Sequence, residues 1–453
     1  MVVLKVGKAT ISIALAVILM LGAVSCRNSQ TLSGEEGQVT TKSVTTTQQP
    51  TVTTTKPTGK VVQLTNLMAG IKANQSKAVL LDEDFINPTV DFSVELFKKS
   101  VTKGKNSLIS PVSVYLALGM AAGGANGTTL AEFEKLLGGQ NLKQKDLNLY
   151  YRAFSKSLTD DKEGKLTIAN SVWYRDDGML EIKKDFLQTN ADYYGAGAFK
   201  ADFNATKTVD EINNWVKTNT DGQIDKIVDK IDSLTECYLF NTLYFEAEWD
   251  EIYYETDKEQ AKFTLSNGKH ITTEYMKGKE SSYLANQNCT GFLKPYRGEK
   301  YSFVALLPNQ GVTMDKFITS LSGKTFLELL HKKSEEKVIT KLPKFRYQYD
   351  FDLNSALRQL GLKTAFNESA DFGSMSEEKL FLYDVRHKTS IHVYEKGTKA
   401  GAASVMEIWK MGLDMDTDKP KEVILDRPFV YAIIDNKTSL PIFMGTMMDP
   451  SKE

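Results

Sequence analysis

The sequence predicts an α+β fold with mostly antiparallel β-sheets, built as one large domain. Helical periodicity dominates the first half of the chain, whereas β-branched and aromatic runs dominate the second half. No linker-like segment interrupts the sequence after about Lys77. The 453 residues carry a formal net charge of -1, which lacks the basic excess expected of a nucleic-acid partner.

The chain begins with a predicted secretory signal over residues 1–25, which we expect to lie outside the fold. Two lysines precede the apolar run ISIALAVILMLGAV, and small residues follow it. Ala23 and Ser25 suit ordinary signal peptidase and also fit a bacterial lipobox, in which Cys26 would be lipidated. Leu is more usual than Ala23 in such boxes, so simple secretion and an uncleaved anchor stay open. The run is short for a membrane span.

Residues 26–77 are predicted to form the lipidated cysteine and a disordered, Thr-rich tether. The stretch from Arg27 to Lys60 has almost no large apolar side chain, so it cannot bury enough surface to fold. A flexible connection between a membrane and the folded domain, residues 78–453, is the expected role.

The elements of the domain follow in order along the chain. A helix is expected from about Asn87, an apolar helix after Pro111 that Gly123 and Gly124 interrupt, and a further helix ending at Leu137. Strands are predicted for the runs LTIANSVWY, ECYLFNTLYFEAEW, YSFVALLP, KVITKLPKFRYQY, FVYAIID and PIFMGTMMD. Helical segments such as VDEINNWVKTNT and DLNSALRQLG lie between them.

Catalytic and metal-binding chemistry is not indicated. The chain has four histidines and three cysteines, and no G-x-S-x-G, H-E-x-x-H, P-loop or C-x-x-C motif. A hydrolase built from Ser110 or Ser113 and His387 is conceivable, but no oxyanion loop is evident. Cys237 and Cys289 are expected to be buried thiols, and whether they pair stays open. We therefore expect no enzyme, no metal and no cofactor.

The segment after the strand-like run SIHVY is rich in small side chains and alternates with a period of two. Such alternation is typical of a half-buried strand. Small residues would let the segment slip between two strands, since overpacking costs about 1–3 kcal/mol per site. A flexible linker or a short helix is the plain alternative, because Ala favours helix. One phase is uncharged (Thr398, Ala400, Ala402, Ser404, Met406, Ile408) and the other contains two charges (Lys399, Gly401, Ala403, Val405, Glu407, Trp409).

Seven segments between about Val90 and Pro450 resemble, in order, the signature segments of the serpin family. The resemblance implies three β-sheets wrapped by eight to nine helices, with an exposed reactive-centre loop near the C-terminus. The segments are NSLISPVSVYLALGMAAGGANGTTLAEFEKLLG, TIANSVWY, INNWVKTNTDGQI, FNTLYFEAEW, LPKFRYQYDFDLNSALRQLGL, VRHKTSIHVYEKGTKAGAAS and DRPFVYAIIDNKTSLPIFMGTMMDP.

In this family, a protease cleaves the loop and forms an acyl-enzyme, and the freed loop then inserts into the central sheet and distorts the protease. The resemblance places the scissile bond at Met411-Gly412, with Lys410 as the alternative. Trp409 and Leu413 stay open because the following segment is long. Lys399 departs from the usual Glu. The hinge that must insert first is Glu395, Gly397, Thr398, Ala400, Gly401, Ala402 and Ala403.

Two further groups of residues match family positions. Ser110, Ser113, Asn241 and His387 match the polar shutter cluster under the central sheet, although they would also serve as caps and fillers of a polar pocket. Trp249 matches the tryptophan at the breach, where the loop begins to insert, although it would also serve as an ordinary core aromatic.

The expected function is suicide inhibition of a serine protease of the elastase, chymotrypsin or subtilisin type, by an exported monomer that an N-terminal lipid holds at the cell surface. A papain-like cysteine protease is a lesser alternative target. A non-inhibitory binding or carrier protein, or an envelope scaffold with a merely cleavable loop, stays open. The run KQKDLNLYYRAFSKSLTDDKEGK mixes lysines with acidic residues, so no heparin site is predicted.

Overall fold

Helices and antiparallel strands share the chain in the computed structural model, which describes residues 1–6, 64–159, 164–398 and 419–452. Within these ranges the predicted α+β fold is confirmed, with nine α-helices and two short 3-10 turns. The helices are α1 (Glu83–Ser100), α2 (Pro111–Ala122), α3 (Gly127–Gly138), α4 (Gln144–Thr159), α5 (Lys184–Tyr194), α6 (Thr206–Asn219), α7 (Met314–Ser320), α8 (Gly323–His331) and α9 (Asn354–Gln359). The strands are β1 (Val2–Val6), β2 (Thr65–Asn66), β3 (Ser107–Ile109), β4 (Lys165–Arg175), β5 (Gly197–Ala201), β6 (Thr235–Glu248), β7 (Lys258–Thr264), β8 (His270–Ala285), β9 (Cys289–Pro295), β10 (Tyr301–Pro308), β11 (Ser334–Pro343), β12 (Phe345–Asp352), β13 (Leu380–Tyr394), β14 (Gly397–Thr398), β15 (Lys421–Ile424), β16 (Phe429–Asp435) and β17 (Pro441–Met447).

The first sheet holds the two long strands between which the candidate site lies. Its order is β12, β13, β6, β4, β5, β2, with only β4 and β5 parallel. The short strands β1 and β14 both lie between β13 and β6, and each pairs antiparallel with both neighbours. One strand position of this sheet is therefore occupied only at its two ends, by two separate segments.

The second sheet runs in the order β15, β11, β8, β9, β10, β16, β17, β3, with β7 paired to β8. The family resemblance implied three sheets, whereas the described strands form two hydrogen-bonded networks. The reason is the length of β8, whose 16 residues pair with β7 and β11 along most of the strand and with β9 at its end.

Helix α2 carries the polar cluster of the site at its N-terminus. Ser110 caps it by accepting a hydrogen bond from the backbone N–H of Ser113, and Pro111 occupies the first helical position, where no N–H is needed. All twelve residues of the helix are buried, as expected for a helix that is apolar all round. The start of this helix is thereby fixed against the first sheet.

Two element boundaries differ from the sequence prediction. Helix α1 begins at Glu83 rather than near Asn87, because Asp82 caps it and Pro88 is tolerated near its start. The run KVITKLPKFRYQY is two strands rather than one. Lys344 still donates its N–H to the carbonyl of Glu274 in β8, and from Phe345 onward the chain pairs with β13 of the first sheet instead.

The N-terminal residues lie in the first sheet, so the expectation that all of residues 1–25 lie outside the fold is wrong for residues 2–6. Val2 and Leu4 pack into the main core and Val3 packs into a second apolar cluster, so both faces of this strand are buried. Because both faces are buried, the run VVLKV lacks the alternation of apolar and polar residues that predicts a strand. Removal of residues 1–25 stays a prediction.

Cys237 and Cys289 are both buried, free thiols, and burial raises the pKa of Cys289 to about 12. Within the described ranges, no helix combines the length and the apolar character needed to cross a membrane.

Candidate functional site

The candidate site is a gap in the first sheet between β6 and β13. These two strands are neighbours, but no hydrogen-bond ladder joins them directly within the described residues. β14 bridges them at one end, and β1 bridges them at the other end. Between the two bridges, residues 240–246 of β6 and 386–392 of β13 face each other across a cavity. The gap therefore has room for one further strand.

β14 consists of two residues, Gly397 and Thr398, at one end of the gap. Thr398 pairs with Val393 and with Ala247, and its buried hydroxyl lies 2.6 Å from the hydroxyl of Tyr296. Gly397 has no room for a side chain, because a Cβ there would collide with the backbone oxygen of Ala247. The sequence Gly-Thr thus suits a hinge that already belongs to the sheet.

Trp249 fixes the backbone just before this hinge. Its indole Nε1 donates to the carbonyl oxygen of Tyr394 at 2.9 Å, and its backbone N–H donates to that of Lys396 at 2.8 Å. The indole is fully buried and stacks on Tyr296 with ring centroids 4.5 Å apart. Trp249 therefore lies at the mouth of the gap, and its role in loop insertion stays a prediction.

Glu395 anchors the turn between β13 and β14 by an ion pair. Its carboxylate accepts a hydrogen bond from Lys344 at 2.8 Å and lies 3.6 Å from Lys258. Burial is the largest single influence on Glu395 and opposes its ionisation, but the hydrogen bond from Lys344, a backbone hydrogen bond and the charges of Lys344 and Lys258 together lower the pKa of the carboxyl. The turn is thus tied by charge to β7 and to the link between β11 and β12.

The four residues predicted as a polar cluster do come together under the gap. The backbone N–H of Ser110 donates to Nε2 of His387 at 2.9 Å, and the Ser113 hydroxyl donates to the carbonyl of Asn241 at 3.5 Å. The Asn241 amide donates to the side chain of Asn170 at 2.7 Å. The buried Oδ1 of Asn241 has no hydrogen-bond partner within the described residues. One acceptor of the cluster is therefore available to an additional donor.

His387 is neutral in this arrangement, because its Nε2 accepts a hydrogen bond. Burial, and secondly the nearby N-terminal ammonium group, lower the pKa of His387 to about 3. A neutral imidazole can exchange hydrogen-bond partners without the cost of moving a buried charge. The cluster is polar but uncharged.

The opposite end of the gap is filled by β1. The Met1 ammonium group donates to the carbonyl of Arg386 at 2.6 Å, and burial lowers the pKa of this amine to about 5. Lys5 lies 3.0 Å from Asp232 on the other face of the strand from Val2 and Leu4. The alternation of the segment matches that of the sheet around it.

Several predicted site residues lie outside the described part of the chain. Sequence reasoning also missed Tyr296, Lys344 and β1, which contact the hinge or fill the gap. Tyr296 ends the run KPY and Lys344 ends the run LPK, and neither run contains a motif that predicts contact with the hinge. In the described ranges, no group of three or more His, Cys, Asp or Glu residues is arranged to hold a metal ion. The predicted residues outside the description are Cys26, Ala400, Gly401, Ala402, Ala403, Lys410, Met411 and Gly412.

Comparisons with known proteins bear on the whole domain. The family model "Serpin (serine protease inhibitor)" matches residues 87–450. An uncharacterised serpin-like protein of Thermococcus kodakarensis is 30% identical over 386 residues, covering 84% of this chain and 88% of the relative. The native-state structure of Tengpin, a thermophilic serpin, is 44% identical with a TM-score of 0.79, covering 86% of this chain and 100% of Tengpin. The structure of thyroxine-binding globulin with thyroxine is 26% identical with a TM-score of 0.71, covering 81% of this chain and 99% of that protein.

The low pKa of His387 predicts a pH dependence of stability. The unfolded chain binds a proton on this histidine below about pH 6.5, whereas the folded protein does so only near pH 3. Stability should therefore fall with pH below about 6.5, by up to about 1.4 kcal/mol per pH unit from this residue. Urea unfolding of His387→Gln should show a shallower decline between pH 7 and pH 4. The exposed His270→Gln serves as control, and equal slopes in the wild type and His387→Gln would refute the assignment.

Proposed function

The chain belongs to the serpin family, and from this premise we propose that it is a suicide inhibitor of serine proteases. Serpins are generally protease inhibitors rather than enzymes. The proposal is that a protease cleaves the loop at Met411-Gly412, and that the freed loop fills the gap between β6 and β13. The observation that carries the proposal is the gap itself, with the hinge residues Gly397 and Thr398 already paired at its mouth.

Continuing the register of β14 predicts how the loop would lie in the gap. Each following residue advances one position along β13 and β6, antiparallel to both. The uncharged phase of the loop then shares the inward face with Thr398, because residues paired across strands point to the same side. Ala400 would face Ile391 and Phe245, Ser404 would face His387 and Asn241, and Met406 would face Val385 and Leu239.

This register brings Ser404 to the polar cluster. A serine there can donate to the Oδ1 of Asn241, which has no partner within the described residues. The small side chains of Ala400 and Ala402 cross the upper part of the gap before the larger Met406 arrives. Each added ladder hydrogen bond contributes about 0.5–1.5 kcal/mol net, so a full strand favours the inserted form strongly. The intact protein would then be metastable.

In the same register, β1 lies where the far end of an inserted loop would lie. Val2 pairs with Val385 and Leu239, which are the partners predicted for Met406. The N-terminal strand therefore occupies the position that the far end of the inserted loop would need. Under the proposal that residues 1–25 are a secretory signal, their removal opens this part of the gap.

The export signal is part of the proposed function. Cys26 would carry a lipid, and residues 27–77 would tether an exported, monomeric inhibitor to the cell surface. The apolar run, the lipobox-like residues and the Thr-rich segment support this placement. Serpins are often extracellular, although some are intracellular. A papain-like cysteine protease remains a lesser candidate target.

A second candidate function is a non-inhibitory carrier, because one structural relative is thyroxine-binding globulin in complex with thyroxine. The small-residue hinge favours inhibition over this alternative, since a carrier has no need of a loop that fits a strand position. An envelope scaffold with a cleavable loop is disfavoured for the same reason.

The proposal predicts a covalent complex with a target protease. The purified protein is incubated with elastase, chymotrypsin, subtilisin or trypsin, and the products are separated on denaturing gels. We expect an SDS-resistant complex with at least one of the first three and a released C-terminal fragment that begins at Gly412. A fragment beginning at Met411 would move the scissile bond to Lys410. Clean turnover with every protease would contradict the inhibitor.

Thr398→Arg should convert the inhibitor into a substrate. The Thr398 side chain is buried at the mouth of the gap, so an arginine there cannot insert without burying an unpaired charge. Complex on denaturing gels should be lost, while the rate of loop cleavage is retained. Lys399→Glu is the matched control, because it reverses a charge in the outward phase and should keep complex formation. Equal complex formation by Thr398→Arg and the wild type would refute loop insertion.

A chain that begins at Cys26 should insert its loop more readily than the full chain. Without β1, the lower part of the gap has no competing strand, and the pairing of Val2–Val6 is lost. We expect a lower unfolding temperature for the uncleaved shorter chain and fewer loops hydrolysed per protease trapped. If both quantities equal those of the full chain, β1 does not occupy the insertion position in solution.

A further inference from the structure

A buried ion pair lies directly behind the mouth of the gap. The ammonium group of Lys294 in β9 donates to the carboxylate of Glu280 in β8 at 3.0 Å. Only 3% and 6% of the two side chains are exposed. Buried ion pairs rarely add to stability, because desolvation offsets their attraction, and their best-attested use is to specify one arrangement. The position of this pair therefore invites a functional explanation.

The pair contacts the residues that hold the hinge. The Lys294 ammonium lies 5.5 Å from the ring centroid of Trp249 and 4.4 Å from that of Tyr253, both within the range of cation–π attraction. Trp249 bonds to Tyr394 and Lys396, as described above. The backbone N–H of Tyr253 donates to the carbonyl of Glu395 at 2.9 Å. The Lys294 ammonium group thus lies against the rings of Trp249 and Tyr253, and these two residues donate hydrogen bonds to the carbonyls of the three residues before Gly397.

We propose that Glu280 and Lys294 are positioning residues for loop insertion, and that the charge on Glu280 sets how firmly Trp249 and Tyr253 hold the hinge. This inference rests on the proposed inhibitory function. With Glu280 ionised, the carboxylate holds Lys294 between the two rings. With Glu280 protonated, Lys294 loses its counter-ion, and the rings and the hinge backbone are held less firmly.

The groups around Glu280 bring the protonation of its carboxyl close to neutral pH. Burial, reinforced by the nearby carboxylates of Glu251 and Asp250, raises the pKa of the Glu280 carboxyl to about 7, although the attraction of Lys294 acts in the opposite direction. The hydroxyl of Tyr253 also faces the pair, and burial holds its pKa far above this range. The other charged groups that line the adjoining cavity are Lys279, Glu299, Glu335, Glu336 and Lys337.

The two effects of this carboxyl have opposite pH dependences. Because its folded-state pKa is raised, the folded protein binds the proton more tightly than the unfolded chain, so its contribution to stability falls as pH rises from about 4.5 to about 7. Hinge anchoring instead strengthens as pH rises through 7. A firmly held hinge starts insertion in register, whereas a loose one delays it and gives water time to hydrolyse the acyl-enzyme. If the pair only stabilised the fold, protonation of Glu280 would change the stability of the protein with pH but would not change the efficiency of loop insertion.

The test is the number of inhibitor molecules consumed per protease trapped, measured from pH 6 to pH 8 with the protease that forms the complex. In the wild type this number should rise several-fold as pH falls from 8 to 6. Glu280→Gln should give a high number that does not change with pH. Glu335→Gln, an exposed glutamate of the same cavity, should follow the wild type. The same protease serves every variant, so its own pH dependence cancels in the comparison.

Parallel pH profiles for the wild type and Glu280→Gln would overturn the inference. If Glu280→Gln fails to fold, the double variant Glu280→Met with Lys294→Met replaces the pair by apolar side chains and should show the same flat profile. In the wild type, absence of any complex at every pH would overturn the proposed function instead. A complex with a parallel profile would overturn only the role of the pair.

Discussion

An unfilled strand position between β6 and β13 is the constraint on which the site depends. Each strand of a sheet offers backbone groups that need partners, and a partly opened sheet is stable only where other groups cover it. Here β14 and β1 cover the two ends, and polar side chains lie beneath the middle. The gap makes the sheet receptive to a further strand of the same chain.

Some residues around the gap fix the hinge, and others can exchange their hydrogen-bond partners. Trp249, Glu395 and Tyr296 fix the hinge through buried hydrogen bonds, stacking and an ion pair. Ser110, Ser113, Asn241 and His387 form an uncharged hydrogen-bond network that can exchange partners. Tight apolar packing in the same place would resist insertion, because it would have to be broken outright. The contacts are thus rigid at the hinge and adaptable under the middle of the gap, as the proposed loop insertion requires.

Much of this could be predicted from the sequence, because the information is local or carried by motifs. The runs YSFVALLP and FVYAIID match β10 and β16 in their bounds, since β-branched and aromatic residues fill them. The polar cluster was predicted residue by residue through the family resemblance. The ion pairs Lys344–Glu395 and Lys294–Glu280 were not, because their members are far apart in sequence and a lysine or glutamate usually indicates a solvated surface. β1 was missed because six residues at a chain end do not reveal which sheet they join.

Loop insertion requires free energy that is stored in the intact fold, and thermal unfolding before and after loop cleavage measures its release. The chain is nicked at Met411-Gly412 by a protease that does not stay bound, and both forms are heated under the same conditions. The nicked protein should unfold at a much higher temperature than the intact protein, because its loop has become a full strand between β6 and β13. Equal unfolding temperatures would show that cleavage releases no stored energy, and they would contradict the account.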